Sequence, residues 1–161
     1  MTTKQILRAA ALVTLLLAAG HSMGGPWTPD TSVPGQGIVE GMKMHTFDAM
    51  GAERTYYSFY VGFGWLIAAY LFGQTALFWL LGDWAVEAPR SAFRVIVVLC
   101  LQWLVVALLS SWFIFVVPGV LAAAIFLLVL GAAVSVSRGR VPAPVEASST
   151  FFPETARERV E

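Results

Sequence analysis

His21 and His45 are the only histidines in the chain. With Asp48, Arg54 and Tyr57 they form the set of residues best able to do chemistry. Four of the five fall in residues 44–65, MHTFDAMGAERTYYSFYVGFGW, where Glu53, Tyr56, Phe59 and Tyr60 crowd in as well. A His–Asp pair can act as a base, two histidines can ligate haem or a metal, and Arg54 can hold a polar head through charge-assisted hydrogen bonds. The expected arrangement has Arg54 bonded to Asp48 or Glu53, fixing an external loop as a lid, with His21 beneath it near Tyr57. Apolar walls and a few convergent polar groups are the usual form of a small-molecule site, and the guest this implies is a lipid or quinone head entering from the outer leaflet. The alternative is structural. Arg54 snorkels to the headgroups, Tyr56, Tyr57 and Tyr60 form an aromatic belt, Gly62 and Gly64 permit close packing, and His21 simply bonds at a helix end.

The elements that must position these residues are membrane helices. Charged residues make up 12% of the chain, about half the quarter usual in soluble domains, and uninterrupted apolar runs of roughly twenty residues read as spans. The fold class expected is all-α, a four-transmembrane-helix bundle over 1–136 with helices at about 5–23, 57–82, 93–112 and 117–136. One apolar run covers the last two and must reverse between Ser110 and Pro118; the competing reading has Pro118 kinking a fourth helix that starts near Phe113. Lys4, Arg8, Arg90, Arg94, Arg138, Arg140, Arg157 and Arg159 fall on one side of such a bundle, leaving Lys43 and Arg54 opposite. The positive-inside rule then puts both termini in the cytoplasm of a bacterial cell, with the protein multi-pass in the plasma (inner) membrane. Alternatively, MTTKQILRAAALVTLLLAAG has the form of a signal peptide cleaved after Ala19 or Gly20.

One long external loop, 25–55, joins helices 1 and 2. Its first half, GPWTPDTSVPGQG, reads as irregular, and IVEGMKMHTFDAM reads as a short helix lying along the outer surface, with Ile38, Met42 and His45 on one face. Residues 137–161 read as a disordered cytoplasmic tail. Within the bundle, Gly20 with Gly24, Ala69 with Gly73 and Gly119 with Ala123 are small pairs that allow close helix approach. Gln74 and Gln102 are expected to face inward and bond a neighbour. Trp84 and Trp112 read as interfacial anchors, Trp65 and Trp103 as packed, and the lone Cys100 as core.

Gly20-His21-Ser22-Met23-Gly24 closing the first helix, then Met42 and Phe47, then 51–64, GAERTYYSFYVGFG, resemble an uncharacterised family of small bacterial four-helix integral membrane proteins. The pattern is a helix-ending Gly-His, then Gly-x-x-Arg-Thr/Ser-Tyr and Phe-Tyr-x-Gly-Phe-Gly, and the likeness covers roughly 4–136. The family's common acidic residue near the start of the second helix is Ser58 here. The resemblance implies a fold and a membrane address, and no activity.

The absence of CxxC, HExxH and GxxxxGK[ST] motifs and the scatter of basic residues argue against zinc, phosphate-loop and nucleic-acid functions. No residue is assigned a catalytic or metal role. The expected function is a non-enzymatic membrane protein that binds a lipid- or quinone-like amphiphile at its outer face. Alternatives are a structural or assembly subunit within a homo-oligomer or with another membrane protein, a His-ligated haem or metal redox protein, and a small membrane enzyme.

Overall fold

The computed structural model describes residues 1–24 and 32–139. Residues 25–31 and 140–161, on which most of the irregular-loop and disordered-tail expectations fall, lie outside them. The elements are α1 (Thr3–Met23), α2 (Val33–Met44), the strands β1 (Thr46–Ala49) and β2 (Ala52–Thr55), α3 (Tyr56–Glu87), α4 (Pro89–Phe113) and α5 (Val116–Arg138). Four helices, α1, α3, α4 and α5, are long and apolar enough to cross a membrane, the mark of a multi-pass membrane protein.

Local chemistry sets the helix ends. Thr2 caps α1, and Gln5 returns the bond to the Thr2 amide, a reciprocal capping box. Only Ala88 separates α3 from α4, so α3 runs past the expected end at 82 and α4 begins before 93. Pro89 explains the narrow break. It lacks an N–H and suits a first helical position, while the residue before it is driven out of helical geometry; Ala88 has φ −135° and ψ 68°. The α4–α5 reversal occurs at Ile114 and Phe115, the latter extended at φ −166°. That lies within the expected window, with Pro118 in the first turn of α5 rather than at a kink.

The packing order differs from the chain order. α1 lies against both α3 and α5, α5 packs along α4, and α3 meets α4 only sparsely. Small residues make α1 suitable for the centre: Ala10, Ala11 and Ala18 are at most 1% exposed, and Leu7 is fully buried beside them. A Cβ on Gly82 would lie 3.4 Å from the Lys4 carbonyl oxygen, so α3 approaches α1 closely at a glycine absent from the expected small pairs. Of those pairs only Gly119 marks a tight contact; a Cβ on Gly20 or Gly73 would meet nothing within 4 Å. The larger core side chains, Phe78, Ile96, Trp103, Ile125 and Val129, are fully buried. Cys100 is buried too, whereas Trp65 is 59% exposed. Leu16, Leu66, Leu108 and Leu127 are among the many large apolar side chains facing outward, as lipid-facing helix surfaces require.

Two contacts fix which ends lie together. Lys4 pairs with Asp83 at 2.5 Å, and the Thr3 and Ser135 hydroxyls are 2.8 Å apart. The start of α1 and the ends of α3 and α5 therefore share one end of the bundle.

Candidate functional site

At the opposite end, α2 and a β-hairpin form a cap over the start of α3. Ser32 accepts from the Gly35 amide at the α2 N-terminus, where Pro34 occupies the first turn. The helix begins earlier than expected, includes Gly35, Gly37 and Gly41, and stops at His45. Residues 46–49, expected as helix, are strand. Thr46 pairs with Thr55, Phe47 with Arg54, Asp48 with Glu53 and Ala49 with Ala52. The two-residue turn has positive φ at both positions, 55° at Met50 and 85° at Gly51, as a primed hairpin turn demands. The Gly51 amide donates to Asp48 Oδ1 at 2.6 Å.

Thr55 and Ser58 then start α3 with a second capping box: the Ser58 amide donates to Thr55 Oγ1 at 3.0 Å, and the Thr55 amide to Ser58 Oγ at 3.2 Å. Ser58 thus occupies the N3 position that Glu fills in many capping boxes.

The five sequence-predicted residues are distributed rather than gathered. His45 Nδ1–H donates to the Gly41 carbonyl at 2.8 Å, closing α2. Asp48 holds the hairpin turn. Arg54 donates through Nη1 to the Glu53 backbone carbonyl at 2.8 Å. The expected pairing of Arg54 with Asp48 or Glu53 is not formed, and the register explains why. Cross-strand partners share a face and neighbours alternate, so Asp48 and Glu53 project from one face of the hairpin while Arg54 shares the other with Phe47. Tyr57 receives the Lys43 ammonium 4.9 Å from its ring centroid, a cation–π contact.

His21 lies deeper than expected. Its Nε2–H donates to the Gly64 carbonyl at 2.9 Å, tying the end of α1 to α3. Gly64 is seven residues beyond Tyr57, about 10 Å of helical rise, so His21 sits some two turns below Tyr57 rather than beside it. Among the described residues, no three or more of His, Cys, Asp and Glu are grouped as a metal site would require.

The Arg54 face carries a feature with no equivalent in the expectations. Phe47 contacts Tyr56 at 4.9 Å and Phe59 at 5.4 Å between ring centroids, and Phe59 contacts Phe63 at 5.0 Å. The rings form a continuous strip from the hairpin down one side of α3, with Tyr56, Phe59 and Phe63 all exposed. The spacing of Phe59 and Phe63, four apart on a helix, was the available signal; Phe47 needed the hairpin to reach them.

A second polar cluster lies at the other end. Asp83 receives Lys4 and also Arg8, whose Nη2 is 3.5 Å away. The Arg8 guanidinium carbon stands 4.6 Å from the Trp79 ring centroid. These are the ion pairs among the described residues. Sequence reading assigned Lys4 and Arg8 to topology alone, because nothing local links them to an acid more than seventy positions away.

Comparison with models of protein families, with curated proteins and with solved structures finds no match.

Proposed function

We propose that this is a non-enzymatic, multi-pass protein of the bacterial plasma membrane that binds the head of a lipid- or quinone-like amphiphile at its outer face. Both termini face the cytoplasm in this reading, which the eight-to-two division of Lys and Arg supports. The observation that carries it is the placement of Arg54 on the hairpin face shared with Phe47, at the head of the exposed strip Tyr56, Phe59 and Phe63. A guanidinium has five N–H donors, and the Glu53 carbonyl takes one nitrogen. The others suit a phosphate or a quinone carbonyl, while the rings offer an apolar track for the attached chain. Tyr57 and Lys43 border the same headgroup zone. His45 and Asp48 act through the cap, by holding α2 and the hairpin turn, and His21 by clamping α1 to α3 below it.

Mass spectrometry of the protein extracted in mild detergent tests this. A lipid or quinone should co-purify with the wild type and be lost from Arg54→Ala and Phe59→Ala, both still inserted and melting near the wild-type temperature. An unchanged complement of bound molecules in both variants would refute the reading.

A further inference from the structure

Three buried polar groups inside the bundle make no hydrogen bond among the described residues: Gln74 Oε1, Gln102 Nε2 and Trp103 Nε1. Both glutamines face inward, but the hydrogen bonds expected of them are not made. Other polar side chains at similar depth are satisfied by their own helix. Thr14 donates to the Ala10 carbonyl at 2.8 Å and Thr75 to Leu71 at 3.0 Å. A glutamine amide and an indole have no such short route back to the backbone, and buried polar atoms without partners are costly, above all where no bulk water reaches.

The three groups share a level. Gln74 lies fourteen residues before Ala88, and Gln102 and Trp103 fourteen and fifteen after it, on antiparallel helices joined at that residue. At 1.5 Å per residue all three stand about 21 Å from the α3–α4 turn. Trp103 is fully buried, and its ring reaches Phe78, one helical turn from Gln74 on α3, at 6.2 Å between centroids. The indole therefore spans the seam between α3 and α4, which pack only sparsely against each other.

The chemistry is complementary in kind. Gln74 offers an acceptor; Gln102 and Trp103 offer donors. A hydroxyl oxygen has one O–H to give and two lone pairs to receive. We infer that the α3–α4 seam at Gln74, Gln102 and Trp103 binds a single hydroxyl oxygen, supplied by a buried water or by a hydroxyl-bearing amphiphile. This site is separate from the outer-face strip and stands independently of the function proposed there.

The test uses the full chain in detergent with 15N-labelled tryptophan, the Trp103 indole resonance being assigned by its loss in Trp103→Phe, which keeps an aromatic ring in place. A cross-relaxation peak from that N–H to water, without a bound molecule in the native mass spectrum, assigns a water. A bound molecule lost in both Trp103→Phe and Gln102→Leu, but kept in Arg54→Ala, assigns an amphiphile. Either supports the site, and Gln74→Leu should then lower the melting temperature by about 2–4 °C. Absence of both signals overturns it. In that case Gln74→Leu, relieved of an orphan amide, melts at or above the wild-type temperature.

Discussion

Gly119 of α5 stands so close to Ser111 of α4 that a Cβ on it would lie 2.4 Å from the Ser111 hydroxyl oxygen and 3.2 Å from the Ser111 Cα. The backbone contact leaves nothing flexible to yield. Gly119→Ala should force the reversal at Ile114 and Phe115 open and cost about 1–3 kcal/mol, the range for overpacking a tight contact. Thermal unfolding in detergent measures it. Gly131→Ala on the same helix, where a Cβ would meet nothing within 4 Å, should change little. Equal melting of the two variants would contradict the packing.

The hairpin turn carries a methionine in a left-handed conformation that asparagine and glycine tolerate far better. Met50→Asn should stabilise the hairpin by about 0.5–1 kcal/mol, seen as slower amide exchange at Arg54 and Thr55. Gly51→Val, at φ 85°, should do the reverse. Exchange rates that ignore both changes would mean that the turn is not of the primed type.

Asp83 joins α1 to α3 at the end where α1 starts. Asp83→Asn should lower the melting temperature at low salt and leave Lys4 and Arg8 without their shared anion. Because these groups are partly exposed, screening should shrink the difference between wild type and variant as salt rises toward 1 M. A salt-independent difference would point to packing instead.

Orientation is open to direct chemical reading. In a Cys100→Ala background, Ser32→Cys should react with a membrane-impermeant maleimide in intact cells, and Ser137→Cys only after the cells are broken. Labelling of Ser137→Cys in intact cells would invert the topology.

The four spans were legible because runs near twenty apolar residues admit little else, and the α4–α5 reversal because Pro118 suits only an early helical position. The partner order was not. α3 and α5 are apolar nearly all round, so the pattern along the chain says little about which face packs. The hairpin escaped notice because IVEGMKMHTFDAM carries a helical spacing and Met50-Gly51 is not the usual Asn-Gly signal. His21 was rightly placed at the end of α1, but its depth depended on the register of α1 against α3, fixed by contacts such as Lys4 with Asp83. The Arg54 pairing failed for a related reason, since a strand alternates its side chains where a loop need not.

The central position of α1 has a consequence for how the molecule is made. Helix α1 leaves the ribosome before either of its partners, and its contacts are complete only when α3 and α5 have both been synthesised. Until α5 is made, α1 has α3 alone of its two partners to pack against. Assembly must therefore finish late, with α5 closing on a helix made more than a hundred residues earlier. Cutting the chain after Ala19 or Gly20 would withdraw the piece on which α3 and α5 converge, and supplying residues 1–24 as a separate chain would be expected to restore it.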